Sequence, residues 1–398
     1  MTSLPSANLS ASALEQELDE LLGESVADAL ARERSAFDRA IGGFEQRLIL
    51  FGAGNLGRQM LKTLREAGLH PQCFADNRAE LWGKTIDDVR VLSPGEAAAR
   101  HGANSVFIVA IWNDKHRFVE TRQTLGKIGC AHVLPVSSLR WKFADRLLPA
   151  LWEDLPHRLL QRADAVRKAF SLWADRRSCQ EYVGQIRWRL HADFDALSAP
   201  WAEESYFPSL LPLKDDEVFA DCGAFDGDTL RSFLGRRGDR FKKIDAFEPD
   251  PSLFGKLQQF LATLPPALRG KIDAMPFAVG ARRQRLTFDP ACGTFSAGGP
   301  VVVESAPLDE LLGDNAPTYI KMDIEGAEMD ALAGARLILQ RHRPALAICV
   351  YHRQGDLWDI PSYIHSISDD YRLYLLPHDP DGWQTVCYAV GPDRTSGH

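Results

Sequence analysis

The stretch YIKMDIEGAE, Tyr319–Glu328, sets Asp323, Glu325 and Glu328 just past an apolar run, and His352 closes a second apolar run, ALAICVYH. Acids and a histidine at the ends of neighbouring strands converge beyond the carboxyl edge of a sheet, where open α/β proteins bind ligands. Two kinds of chemistry use such a set. In one, His352 is a general base that takes a proton from a hydroxyl, with Asp323 or Glu325 orienting the ring. In the other, Asp323, Glu325 and His352 hold a divalent cation that acidifies the same hydroxyl. No metal-ligand spacing stands out, so proton transfer by His352 is preferred and the cation is the alternative. Glu325 and Glu328 also have a plain explanation, because acids near a helix N-terminus interact favourably with its dipole.

Two glycine loops bear on what else binds. FGAGNLGRQ carries Gly52, Gly54 and Gly57 after an apolar run, has no acid and contains Arg58. It suits an anionic pyrophosphate at a helix N-terminus, and Asp76 ends the next strand where a ribose-binding acid belongs. DCGAFDGDT, Asp221–Thr229, carries Asp221, Asp226 and Asp228 around Gly223, Ala224, Phe225, Gly227 and Thr229. Three carboxylates there repel a pyrophosphate but tolerate a cation such as S-adenosyl-L-methionine. Glu248, ending the next strand in DAFEPD, is placed to accept both hydroxyls of a ribose; its other reading is a cap for the helix opened by Pro251. Phe277 and Ala278 in PFAVG are candidates to lie against an adenine, and Phe277 serves equally well as core.

The elements that position these residues follow from periodicity. Ser12 and Glu15 read as a capping box, with Leu14, Leu18, Leu21, Leu22, Val26 and Leu30 at helical spacing behind it. This places an N-terminal helical extension over 1–45. Strand–helix alternation over 46–136 predicts a Rossmann-like parallel sheet with the first glycine loop, and Ser93 with Pro94 opens one of its helices. Residues 137–214, rich in Leu, Trp and Arg, read as a helical connector with Trp152, Trp173 and Trp188 as core. A second alternation fills 215–398, with KIDAMPFAVG as its third strand and a helix running from Ala327 through His342. It ends in an antiparallel pair joined by DPDGW. The fold expected is α/β, two Rossmann-like doubly wound domains with a helical connector. Beyond these elements, CGTFSAGGP (292–300) reads as a loop over an acceptor or an ordinary turn. Arg353, Asp356 and Trp358 are placed to touch an acceptor, with Trp358 stacking on a sugar or buried in core.

The whole chain sets bounds. Its 398 residues are 45% hydrophobic and 25% charged, ordinary for a globular protein. A net charge of −8 argues against a broad nucleic-acid surface. The seven cysteines form no C-x-x-C pair, which fits a reducing cytoplasm better than a zinc site or disulfide framework. No signal-like segment or membrane span is read in the chain, and a homo-oligomer is left open.

FADCGAFDGDT, AFEPDP, FAVG, APLDELL and above all YIKMDIEGAEMDALAGA resemble the FkbM family of S-adenosylmethionine-dependent methyltransferases, over about the last 185 residues. The resemblance implies a class I methyltransferase fold for 215–398. It also implies methyl transfer to a hydroxyl of a sugar, glycan precursor or other small metabolite. Phe225 stands where the general methyltransferase loop has a glycine. Leu376 and Pro377 stand about where family members carry an Arg-His pair, so the hairpin's role is in doubt. The first domain resembles nucleotide-binding modules of sugar-modifying enzymes through FGAGNLG, FADN, WGK and VLSP, implying a nucleotide or nucleotide sugar there. Two alternatives stand beside the methyltransferase: an NAD- or nucleotide-dependent sugar-modifying oxidoreductase using the first domain, and a nucleotide-sugar binding module without chemistry of its own. No Tyr-x-x-x-Lys pair supports the oxidoreductase.

Overall fold

The structure is a computed structural model that describes residues 10–289, 294–295, 299–313 and 315–394. It divides into two compact units, one of Met1–Asp164, Gln180–Pro200 and Asp379–Trp383, the other of Ala165–Cys179, Trp201–His378 and Gln384–His398. The helical segment 137–214 is shared out between them. Most of the stretch 292–300 lies outside the described residues.

The first unit holds β1 (Leu48–Phe51), β2 (Cys73–Ala75), β3 (Thr85–Ile86), β4 (Val89–Leu92), β5 (Val106–Val109) and β6 (His132–Pro135). They form one sheet in the order β3-β4-β2-β1-β5-β6, parallel except for β3 against β4. Side chains alternate across a strand, so β1 feeds two cores. Leu48 and Leu50 pack with Met60, Leu61 and Leu64, while Ile49 and Phe51 pack with Ala97, Phe107 and Leu125. Both faces are therefore covered, as a parallel sheet requires. The helix Pro94–His101 starts as the sequence indicates, with Ser93 Oγ accepting the Glu96 amide at 3.1 Å. The N-terminal helix differs. Ser10, not Ser12, is the cap, and the pattern is cut into Ala11–Leu21 and Val26–Ile41 because Ser25 Oγ caps a second start at the Asp28 amide.

The second unit begins with β7 (Val218–Cys222), β8 (Lys243–Phe247) and β9 (Ile272–Met275). It continues through β10 (Phe277–Val279), β11 (Gln284–Asp289), β12 (Thr294–Phe295) and β13 (Val301–Ala306). It closes with β14 (Tyr319–Met322), β15 (Ala345–Cys349), β16 (Arg372–Pro377) and β17 (Thr385–Val390). The main sheet runs β9-β8-β7-β14-β15-β17-β16, with β17 antiparallel to both neighbours. A small sheet runs β10-β13-β11-β12. The single strand expected over KIDAMPFAVG is thus two strands in two sheets. Pro276 separates them, since it has no N–H for a ladder. Phe277 and Ala278 consequently pair with β13. The helix expected after Glu328 is also cut, ending at Ala333 and restarting at Arg336. Between them lies Gly334, where a Cβ would stand 2.1 Å from the Gly280 carbonyl oxygen. Two backbones meet there too closely for any side chain.

No helix among the described residues is long and apolar enough to cross a membrane. The six cysteines among them are free and buried.

Candidate active site

In the main sheet the chain leaves β7 toward β8 and β9 on one side and returns through β14 and β15 on the other. The crevice between the carboxyl ends of β7 and β14 is therefore the switch point at which such sheets bind ligands. Gly223, with φ +80, lies there, and a Cβ on it would meet the Asp323 carbonyl oxygen at 2.0 Å. Phe225 takes φ +49 and Gly227 φ +91. Phe225 thus keeps the left-handed backbone that a glycine would favour, at a cost of about 1 kcal/mol. Its ring is half exposed.

The loop's charge is more balanced than its sequence indicates. Asp221 is fully buried and pairs with Lys321 Nζ at 3.0 Å, and Lys321 also donates to the Gly223 carbonyl at 2.6 Å. Burial lifts the Asp221 carboxyl to about 6, against the pull of Lys321. Asp226 pairs with Arg231. Asp228 Oδ1 accepts the Thr229 amide. The loop's amides are turned inward as well. Those of Gly223 and Ala224 donate to the Phe247 carbonyl, that of Gly227 to Ala224, and that of Phe225 to Glu248. A loop with these amides occupied is no phosphate cradle.

The acids ending the second strand of each unit share one construction and differ in one respect. Glu248 accepts the Phe225 amide on Oε2 at 2.9 Å and the Asp250 amide on Oε1 at 2.8 Å. Asp76 accepts the matching pair, the Ala53 amide on Oδ2 at 2.7 Å and the Arg78 amide on Oδ1 at 2.9 Å. Arg78 then folds its guanidinium back onto Asp76, Nε to Oδ1 at 3.0 Å and Nη2 to Oδ2 at 3.1 Å. A carboxylate offers about four acceptor positions. Asp76 has filled them, whereas Glu248 has one position left on each oxygen. Burial lifts the Glu248 carboxyl to about 7, against its two backbone donors. Asp250, not Glu248, caps the helix that follows, through the Ser252 and Leu253 amides.

Around the first loop, Gly52 at φ +114 lies against the Ala110 carbonyl, and Gly57 against that of Gly52. Gly54 is crowded by nothing nearer than Arg78 Nη2, 4.0 Å from where its Cβ would be. Arg58, the cation expected to face a pyrophosphate, pairs with Asp87 at 2.7 Å.

His352, Asp323 and Glu325 do come together. His352 Nε2 stands 3.3 Å from Asp323 Oδ1 and 3.7 Å from Glu325 Oε2. The group that orients the ring is neither of these but Glu328, whose Oε1 lies 2.8 Å from His352 Nδ1 and also accepts the Ile324 amide. Burial opposes a charge on His352, but Glu328, Asp323 and Glu325 overcome it and hold the imidazole up to about 10. At neutral pH the ring is an imidazolium. Asp323 is held below the usual carboxylate range despite burial, by His352, Lys321 and the hydroxyls of Tyr206 and Tyr351. Glu325 goes the other way: burial, with Asp323 and Glu328 nearby, lifts its carboxyl in spite of His352. Its side chain is half exposed and its backbone sits at φ +56.

Sequence reasoning passed over several members of this site. Glu328 looked like a residue answering a helix dipole. Tyr206, Tyr351 and Gln384 carried no motif, yet Tyr206 Oη donates to Asp323 Oδ2 at 2.8 Å and Tyr351 Oη to Oδ1 at 3.0 Å. Trp358, considered as a sugar-stacking ring, is buried and belongs to the core. Asp356 is buried beside the cluster and accepts the Arg353 amide at 2.9 Å. Burial and the nearby Glu328 lift its carboxyl to about 7, against the pull of His352 and Arg353.

The mixed α/β architecture, with its largely parallel main sheet, matches a methyltransferase fold. Residues 221–375 match the family model described as the methyltransferase FkbM domain. Among curated proteins, 2-O-methyltransferase NoeI of Sinorhizobium fredii (strain NBRC 101917 / NGR234) is 26% identical over 157 residues, 33% of this chain and 62% of that protein. The chain thus covers less than two thirds of that relative's length. The crystal structure of methyltransferase FkbM from Methylobacillus flagellatus KT aligns with a TM-score of 0.76 at 24% identity, covering 96% of this chain and 100% of that one. At that identity the likeness is one of fold.

Proposed function

We propose that the protein is an S-adenosyl-L-methionine-dependent O-methyltransferase acting on a hydroxyl of a sugar, glycan precursor or other small metabolite. The observation that carries this reading is the pair of acceptor positions left on Glu248 beside the loop after β7, with the matching positions on Asp76 filled. The family match and the NoeI relative, a 2-O-methyltransferase by name, support the same class.

The residues fit the cofactor. Glu248 would accept the ribose hydroxyls, with Asp221, Gly223, Ala224, Phe225, Gly227 and Thr229 forming the loop beside it and Phe277 and Ala278 toward the adenine. When bound, S-adenosyl-L-methionine supplies a methyl group on a positively charged sulfur. The chain's own task is to orient the acceptor hydroxyl and receive its proton. An imidazolium already carries both ring protons, so His352 is not the base in this charge state. Glu325 is the better proton acceptor: it faces His352 Nε2, is half exposed, and has its carboxyl raised. His352, fixed by Glu328, holds Asp323 and Glu325 in place as charged partners.

Arg78 over Gly54 favours a phosphate-bearing group at the first loop rather than a ribose diol on Asp76, which supports a nucleotide sugar over NAD as its ligand. We read both units as Rossmann-like doubly wound sheets.

The test is methyl transfer from tritiated donor to a panel of methyl glycosides and nucleotide sugars. Label in an acceptor, lost in Glu248→Ala, is the result expected. Label in none of them, together with no binding of the donor product, would contradict the proposal.

A further inference from the structure

We infer that Tyr206 and Gln384, both outside the matched family domain, are positioning residues that fix the Asp323 carboxylate for methyl transfer. The inference rests on the function proposed above.

Asp323 directly follows β14, so its backbone direction is set by the sheet, but a carboxylate can still turn about its last bond. Two phenols stop that turn. Tyr206 Oη donates to Oδ2 at 2.8 Å, and Tyr351 Oη donates to Oδ1 at 3.0 Å. Gln384 lies against both phenols: its Nε2 donates to Tyr351 Oη at 3.2 Å, and its Oε1, 2.7 Å from Tyr206 Oη, shares that hydroxyl's one proton with Asp323 Oδ2. Each carboxylate oxygen thus receives a hydroxyl of its own, and the two hydroxyls are tied to one amide. The remaining side of Oδ1 faces His352 Nε2.

The support behind Tyr206 is unusual for a residue that only fills space. Its backbone lies at φ +70, a left-handed conformation that costs a bulky residue about 1 kcal/mol or more. Such strain persists only where the surroundings over-determine it. Here the Tyr206 amide donates to Tyr388 Oη at 2.9 Å, and its carbonyl accepts from Tyr319 Oη. Tyr388 Oη is in turn 2.7 Å from His378 Nε2. Two strands of the main sheet, β14 and β17, therefore grip the residue from both sides of its peptide unit. Gln384 is likewise at φ +48, immediately before β17. The fold holds two strained residues so that one phenol reaches Asp323 and one amide reaches the phenols beside it. Packing alone does not require the phenol oxygen, because phenylalanine would fill the same space.

The test compares Tyr206→Phe, Asp323→Asn and the double variant, with Gln384→Asn as a second probe that tolerates the left-handed backbone. An acceptor-free readout is the infrared carboxylate band assigned to Asp323 by difference against Asp323→Asn. The band should move in Tyr206→Phe, while the calorimetric affinity for S-adenosylhomocysteine stays within about twofold of wild type. With any methyl acceptor that turns over, Tyr206→Phe should lower kcat about tenfold or more with little change in KM for the donor. The double variant should be no worse than Asp323→Asn, since Tyr206 acts through Asp323. An unmoved band, or losses that multiply in the double variant, would overturn the inference. Failure of the wild-type protein to bind S-adenosylhomocysteine would instead overturn the proposed function and leave the band comparison standing.

Discussion

Glu328 Oε1 lies 2.8 Å from His352 Nδ1, with both side chains almost wholly shielded from solvent. A buried ion pair repays its desolvation only when its geometry is good, and breaking one partner exposes the full cost. Glu328→Gln should destabilise the protein by about 3 kcal/mol in urea unfolding. The dependence on pH has a definite sign. His352 is raised from 6.5 to about 10, so its contribution is present in full below the unfolded value and is lost as pH rises through about 10. The gap between wild type and Glu328→Gln should therefore narrow over that range. A gap independent of pH would show that the pair is not ionic.

Glu325 has the raised carboxyl and the exposure that a proton acceptor needs. Glu325→Gln should lower kcat by roughly 10²–10³ with the donor's KM little changed. Steady-state rates with any acceptor that turns over check this, and a variant retaining near-full kcat would return the base role to another group.

The Glu248 carboxyl, lifted to about 7 by burial, must be ionised to accept two hydroxyls. Its raised value means that the empty site carries a proton for part of the time near neutrality. Binding S-adenosylhomocysteine should release protons there, and affinity should rise from about pH 6 to about pH 8. Calorimetry in buffers of different ionisation enthalpy reads this directly. A binding heat that is the same in every buffer would contradict it.

The glycines of the first loop separate packing from ligand approach. A Cβ at Gly57 would stand 1.9 Å from the Gly52 carbonyl oxygen, while one at Gly54 would meet nothing closer than 4.0 Å. Gly57→Ala should cost several kcal/mol of stability, on the order of other strained backbone changes. Gly54→Ala should change stability by less than about 1 kcal/mol. Thermal unfolding distinguishes the two, and equal losses would mean that the loop packs differently.

Much of this was legible in the sequence, because it depends on local pattern. Apolar runs such as LILF and VFIV mark buried strands, and acids follow the strand ends that the switch-point rule makes important. What failed depends on contacts distant along the chain. Nothing near Asp221 shows that Lys321 pairs with it, and nothing near His352 selects Glu328 over Asp323 and Glu325. Tyr206 reaches Asp323, and Gln384 the phenols beside it, only because β14 and β17 are brought together by the sheet order β15-β17-β16 beyond β14. The breaks at Pro276 and Gly334 did have local signals. Proline has no ladder donor, and a glycine inside a helical pattern often marks close backbone approach.

The central claim is that the cofactor site belongs to Glu248 and not to Asp76. Calorimetric titration with S-adenosylhomocysteine of wild type, Glu248→Ala and Asp76→Ala tests it most directly. Micromolar binding by wild type and Asp76→Ala, with loss of about tenfold or more in Glu248→Ala, is the result predicted. Binding that survives in Glu248→Ala and disappears in Asp76→Ala would contradict it.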